Sequence, residues 1–235
     1  MKTSVIITAG GKGSRLPADQ KKQFLEIKSR PLIFWTIDPF TMLDSITQII
    51  VTLPADELDH YGSMIIAEFS DINFTFVAGG EERQDSVYNA LLKCSEKTDI
   101  VLIHDGVRPF VSTGTISQLI ALTAQYQAVI PISPVKDTLK KVDNELIVST
   151  IARDHLFNAL TPQAFSRDLI RKCHEQAREE KKYFTDDAGM LEHYGYDVHT
   201  LLTGDNNFKI TDPEDFELAK IILSNRGKAN ENKSY

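Results

Sequence analysis

Cysteine is scarce in this chain: Cys94 and Cys173 are the only two among 235 residues. Two lone thiols make no disulfide framework, and free thiols suit a reducing compartment. They have no zinc-type spacing to the six histidines, His60, His104, His155, His174, His193 and His199. Long apolar runs are also missing. No stretch of about 18 uncharged apolar residues occurs, so no membrane span is expected. The apolar run after Met1-Lys2-Thr3-Ser4 is too short for a signal peptide. A soluble, cytoplasmic protein is expected. There is no basic excess: 26 Lys and Arg against 33 Asp and Glu give a net charge of −7. That balance, without a basic run, argues against nonspecific nucleic-acid binding and leaves phosphate recognition to a local cluster of cations. No Gly-x-Ser-x-Gly elbow and no Asp-x-Asp pair is present.

What is present is ordinary globular material, 42% hydrophobic and 25% charged, long enough to bury a core without disulfides or metals. Short β-branched runs alternate with longer amphipathic stretches. Strands are expected at Ser4–Thr8, Ile46–Leu53, Asn73–Ala78, Asp99–His104 and Ala128–Pro134. Helices are expected at Pro31–Met42, Ala55–Phe69, Glu82–Cys94 and Thr113–Tyr126, the last with Ile116, Leu119, Ile120 and Thr123 on one face. Strand–helix repetition of this kind predicts an α/β, Rossmann-like three-layer domain with a mostly parallel sheet. Ligands of such sheets sit at the carboxyl ends of the strands. Thr138–Ile151 breaks the rhythm: polar and apolar residues partly alternate on either side of the Asp143-Asn144 turn signal, which reads as an inserted β-hairpin, about 136–153 with its flanks. Helices at Ser166–Glu180 and Asp186–His193, strands at Asp197–Thr203 and Phe208–Thr211, and a helix at Pro213–Ser224 follow. One domain over 1–226 and a frayed polar tail over 227–235 complete the reading.

Four groups of residues could carry chemistry. Thr8-Ala9-Gly10-Gly11-Lys12-Gly13-Ser14-Arg15-Leu16 follows the first strand, and Lys21-Lys22-Gln23-Phe24 comes soon after. Three glycines let the backbone approach a ligand and aim N–H groups at it, and Arg15 and Lys22 add cations, so the loop suits a triphosphate. It is neither a P-loop, lacking Gly-Lys-Ser/Thr, nor a dinucleotide fingerprint, since Leu16 stands at the third glycine position. Gly79-Gly80-Glu81-Glu82-Arg83-Gln84-Asp85-Ser86 offers free N–H groups at a helix start, or simple capping. His104-Asp105-Gly106-Val107-Arg108-Pro109 ends the fourth strand, where Asp105 could hold Mg²⁺ or a substrate hydroxyl, or serve as a buried ion-pair partner. The second half carries Arg153-Asp154-His155, Thr161-Pro162-Gln163, Thr185-Asp186-Asp187 and Asn207-Phe208-Lys209-Ile210-Thr211, with Thr185 reading as an N-cap.

Taken together and in this order, the motifs resemble those of the sugar-phosphate cytidylyltransferases, in particular the 2-C-methyl-D-erythritol 4-phosphate cytidylyltransferase family, over about Val5 to Leu223. The resemblance implies transfer of CMP from CTP to a polyol phosphate with Mg²⁺ or another divalent cation. By the same resemblance, Ala9, Gly10, Gly11 and Gly13 would wrap the CTP phosphates. Arg15, Lys22 and Lys209 would be the catalytic cations. Gly80, Glu81 and Ser86 would read cytosine, with Arg83 supporting that loop. Asp105 would face the metal and the acceptor, and Thr161, Thr185 and Lys209 would line the acceptor pocket. Arg108, Thr138 and Arg153 would reach the acceptor from the partner subunit of a homodimer, and the hairpin would be its dimerisation arm. Three positions depart from the family pattern: Lys21 stands where proline is usual, Glu81 where aspartate is frequent, and Gly106-Val107 where a pair of small residues is frequent. Ribitol 5-phosphate is the alternative acceptor, Lys140 leaning toward the methylerythritol branch. A silent nucleotide-binding module is the alternative of another class.

Overall fold

The computed structural model describes residues 1–11, 21–204 and 206–231. Strand β1 (Thr3–Thr8) opens the chain. A small ribbon of β2 (Glu26–Ile27) and β3 (Arg30–Pro31) leads into α1 (Leu32–Thr41). Then come β4 (Ile46–Leu53), α2 (Leu58–Glu68), β5 (Phe74–Ala78), α3 (Arg83–Leu91), β6 (Ile100–Asp105), α4 (Thr113–Tyr126) and β7 (Ala128–Pro134). The hairpin is β8 (Leu139–Asp143) and β9 (Leu146–Ile151). Two short strands follow it, β10 (Phe157–Ala159) and β11 (Gln163–Ser166). The chain closes through α5 (Arg167–Glu179), α6 (Asp187–His193), β12 (His199–Leu202) and α7 (Pro213–Glu231).

The main sheet runs β11–β6–β1–β4–β5, with all pairs from β6 to β5 parallel. β11 is antiparallel to both of its neighbours, β6 and β7. Val129 of β7 pairs with both Ala164 and His199, and Ile132 with both Ala159 and Leu202. A strand residue has two edges, so β10 and β11 share one edge of β7 and β12 takes the other. The sheet is therefore mostly parallel, as the pattern predicts, with β10 and β11 as unforeseen antiparallel members.

Successive strand residues point to opposite faces, so a strand buried on both sides is apolar throughout. Val5, Ile7, Ile49, Val51, Leu53, Ile100 and Leu102 join one core with Ile33, Ile37 and Phe40 of α1, Ile65 of α2 and Ile116 and Leu119 of α4. Ile6, Ile50, Val101 and Ile103, between them, join the other with Val87 of α3, Ile170 and Cys173 of α5 and Leu191 of α6. These are the three layers. A third cluster of Ile27, Leu32, Phe110, Ile210, Ala219 and Leu223 seats α7.

Three local expectations are corrected. Phe208–Thr211 is not a strand. Its backbone instead serves Val107 and Lys22, with Ile210 N–H donating to Val107 O and the Lys22 ammonium donating to the Ile210 and Thr211 carbonyls. The N-cap of α6 is Asp186, which accepts from Gly189 N–H, and not Thr185. Helix α7 passes the expected end at Ser224 and runs to Glu231. Its cap is Asp212, whose Oδ1 accepts from Asp215 N–H at 2.9 Å.

The hairpin forms as expected. Asn144 and Glu145 both have positive φ (45° and 66°) in a two-residue turn, the primed geometry that matches strand twist. Every residue from Leu139 to Ile151 is exposed, Leu146 at 73% and Ile147 at 65%.

Candidate active site

The carboxyl ends of β1, β5 and β6 open into one cleft of about 1090 Å³. Its lining includes Ala9, Gly10, Gly11, Lys22, Gly79, Gly80, Glu81, Arg83, Ser86, Asp105 and Lys209. Sequence reasoning named each of these from scattered motifs. Gly13 and Arg15 lie outside the described residues.

After β1, Ala9 N–H donates to the Thr52 carbonyl at 3.1 Å and turns the chain across the top of the sheet. A Cβ on Gly10 would stand 3.0 Å from Gly79 Cα, so the two loops pass backbone against backbone. Among the described residues nothing comes within 4 Å of a Cβ built on Gly11. The buried Gln23 amide donates to the carbonyls of Ala9 and Gly11 and ties the glycine loop to the Lys22–Phe24 turn. Gln23 was missed as a site residue, because only its fold-level reach across the loop reveals its work.

After β5, Gly79 N–H donates to Leu53 O at 2.8 Å, and Gly80 N–H donates to Ser86 Oγ at 2.9 Å. Ser86 Oγ in turn donates to the Glu82 carbonyl at 3.2 Å. Glu82 and Asp85 close a reciprocal capping box on α3. The loop is thus tied down at both glycines, and the capping reading of this motif holds.

Asp105 sits at the centre, 6% exposed. Its Oδ1 meets Arg83 Nε at 3.4 Å, and its Oδ2 meets Arg108 Nε at 3.3 Å and Lys209 Nζ at 3.1 Å. Burial opposes its ionisation, but the charges of Arg83, Lys209 and Arg108 outweigh that and hold the carboxyl well below the usual carboxylate range. Arg83 also donates to Asp187 Oδ2 at 2.7 Å, and His174 Nε2 lies 3.0 Å from Asp187 Oδ1. Asp187 is fully buried, which disfavours its charge, yet Arg83 and the His174 hydrogen bond bring it down to about 2. Lys22 Nζ donates to the Ile210 and Thr211 carbonyls at 3.1 and 2.6 Å on the opposite wall. Among the described lining residues Lys22, Arg83 and Lys209 stand against Glu81, Glu82 and Asp105, three charges against three, and Arg108 and Asp187 add one of each sign behind the wall. The cleft thus gathers a local cluster of cations within an acidic chain.

As a metal ligand Asp105 does not fit. Both carboxylate oxygens already face cations, and a divalent ion entering here would have to displace Lys209. Among the described residues no group of three or more His, Cys, Asp or Glu side chains could hold a metal. Arg108 and Thr161 are buried behind Asp105 and do not line the cleft. Thr138, Arg153 and Thr185 are exposed and also lie outside the lining. Arg153 donates instead to the Lys136 carbonyl within the arm.

Comparisons with known proteins bear on the family and the fold. The family model for 2-C-methyl-D-erythritol 4-phosphate cytidylyltransferase matches residues 3–225. The chain belongs to that family. A relative of that name from Clostridium botulinum (strain Eklund 17B / Type B) is 40% identical over 222 residues, covering 94% of this chain and 99% of its own. One from Halalkalibacterium halodurans is 38% identical, covering 96% and 99%. Among solved structures, the 4-diphosphocytidyl-2C-methyl-D-erythritol synthase of Anaerococcus prevotii superposes with a TM-score of 0.83 at 30% identity, covering 95% of this chain and 98% of that one. The Thermus thermophilus cytidylyltransferase gives 0.80 at 31% identity, covering 94% and 98%. Family membership accounts for why weak single motifs recur here in one order and converge on one cleft.

Proposed function

We propose that the chain transfers CMP from CTP to 2-C-methyl-D-erythritol 4-phosphate and releases pyrophosphate, a step of isoprenoid precursor synthesis. The observation that carries this reading is the cleft itself: the glycine loops at Ala9–Gly11 and Gly79–Gly80 meet backbone to backbone, with Lys22 and Lys209 on its walls and Asp105 beside Lys209. An oxygen of the acceptor phosphate attacks the α-phosphorus of CTP. The new P–O bond forms as the bond to the β-phosphate oxygen breaks, and pyrophosphate leaves. The attacking phosphate is already anionic at neutral pH, so no general base is required. What the protein supplies is alignment and preorganised positive charge.

In this reading Lys22 meets charge at the α-phosphate, with Arg15 as its partner. Lys209 stands toward the acceptor, and Asp105 keeps Lys209, Arg83 and Arg108 from repelling one another. A divalent cation bound with the nucleotide would add positive charge at its phosphates, and no side chain among the described residues is assigned to hold it. Gly80, Glu81 and Ser86 take the cytosine edge, and Thr161 and Thr185 the acceptor side. Residues 1–226 form one catalytic domain. The exposed apolar arm pairs two copies, which gives Thr138 and Arg153 the partner's site to serve and leaves Arg108 behind Asp105 in its own chain.

The test is pyrophosphate release from CTP and Mg²⁺ with 2-C-methyl-D-erythritol 4-phosphate and ribitol 5-phosphate in parallel. Turnover with only the first is expected. Turnover with only the second overturns the acceptor, and CTP binding without release overturns the transfer.

A further inference from the structure

Four buried residues behind Asp105 are joined head to tail by hydrogen bonds. Arg108 Nη1 donates to the Asn207 carbonyl at 2.9 Å. Asn207 Nδ2 donates to the Thr161 carbonyl at 2.6 Å. Thr161 Oγ1 lies 2.9 Å from His104 Nδ1, and His104 Nε2 lies 3.0 Å from the Arg108 carbonyl. The last link fixes the direction of the others. A carbonyl can only accept, so Nε2 carries the proton and donates. In a neutral imidazole Nδ1 is then the acceptor, and the Thr161 hydroxyl must donate to it. All four residues are less than a tenth exposed.

The ring joins the three segments that bring functional groups to the cleft. His104 and Asp105 end β6, and Arg108 follows three residues on. Thr161 precedes β11 and accepts Asp105 N–H at 3.2 Å. Asn207 stands two residues before Lys209, whose ammonium meets the Asp105 carboxylate at 3.1 Å. We propose that this closed, one-directional circuit is the device that sets Asp105 and Lys209 in register, with His104 and Asn207 as positioning residues. The proposal deepens the transferase reading and rests on it for its kinetic part. It also limits Thr161. Its one proton goes to His104 and one lone pair to Asp105 N–H, so its hydroxyl can only accept from a substrate. Buried behind Asp105, it gives no hydrogen bond to a phosphate oxygen.

Two measurements on the intact chain test this. Imidazole ¹⁵N NMR of the wild type at pH 7.5 should show His104 as the Nε2–H tautomer. An Nδ1–H tautomer or a doubly protonated ring overturns the circuit whatever the activity. Kinetically, Thr161→Val should lower kcat/KM for the acceptor roughly 10- to 100-fold, as a displacement of about 1 Å at a reacting group does. CTP affinity should stay within about twofold, and Thr161→Ser should recover most of the loss. Asn207→Ala should move the same parameter in the same direction. Equal losses in Thr161→Val and Thr161→Ser, or losses confined to CTP affinity, overturn the positioning role. A wild type that shows the expected tautomer but no transfer refutes the transferase reading and leaves the circuit standing.

Discussion

Gly80 can be used to ask whether the base end of the cleft depends on a backbone approach that no other residue permits. A Cβ built there lands on Asp85 Cβ, far inside van der Waals contact, and 3.1 Å from the Asp85 carbonyl carbon. Carbon atoms in good contact stand about 3.5–4.0 Å apart. Asp85 is held by the capping box and by the first turn of α3, so it has no flexible end to swing away. Gly80→Ala must therefore move the loop by roughly 1 Å. That shift breaks the Gly80 N–H bond to Ser86 Oγ, worth about 1 kcal/mol, and loosens the cap, worth about another 1 kcal/mol. A total of about 2 kcal/mol lowers Tm by about 4–8 °C in a chain of this size. In a CTP titration the KM for the nucleotide should rise about tenfold or more, with a smaller change for the acceptor. Ser86→Ala removes the hydrogen bond without the clash and should lower Tm by about half as much. A Gly80→Ala enzyme with unchanged KM for CTP, or one less damaged than Ser86→Ala, refutes the steric account.

Three further outcomes follow from the same geometry. Lys22→Ala should lower turnover by about 10²–10³, the usual cost of one preorganised charge, while circular dichroism shows an intact fold; near-normal turnover removes Lys22 from the chemistry. The Asp187 carboxyl lies below its ordinary 3.8, at about 2. Its contribution is therefore complete above about pH 4 and is lost as pH falls from about 4 to 2. About 2 kcal/mol is at stake, so acid unfolding of Asp187→Asn should be flatter over that window, though the variant is less stable at pH 7. Ile147→Glu places a charge on the exposed arm, where Ile147 pairs with Val142. It should leave secondary structure unchanged while equilibrium sedimentation shows a monomer with weakened use of the acceptor.

The elements that the sequence announced are those with many residues on one pattern. β1, β4, β6 and β7 are apolar on both faces, and α4 carries a full amphipathic stripe. β10 and β11 escaped because three- and four-residue strands set among Thr161, Pro162 and Gln163 offer no period to count. The Phe208–Thr211 segment deceived in the other direction. Phe208 and Ile210 alternate as a strand would, but they do so to fill the cluster under α7, with no ladder beside them. In the site, residues whose type announces charge chemistry were legible: Lys22, Asp105 and Lys209 do meet at one cleft. Gln23, His104, Asp187 and Asn207 stood inside the quoted motifs without a role of their own, because the partners that give them one lie in other segments of the chain.

The place of β11 in the sheet also orders assembly. Its residues fill the gap between β6 and β7 although they come after both in the chain. The first 105 residues hold β1, β4, β5 and β6, which already pair with one another. β7 has no such recourse: its ladder partners β10, β11 and β12 all lie C-terminal to it. A nascent chain released before Gln163 therefore leaves β7 with β10 as its only strand partner and unjoined to β6. Until β11 has been emitted, the apolar strand β7 lacks the partner that joins it to the parallel sheet, and exposed apolar surface of that kind is prone to association.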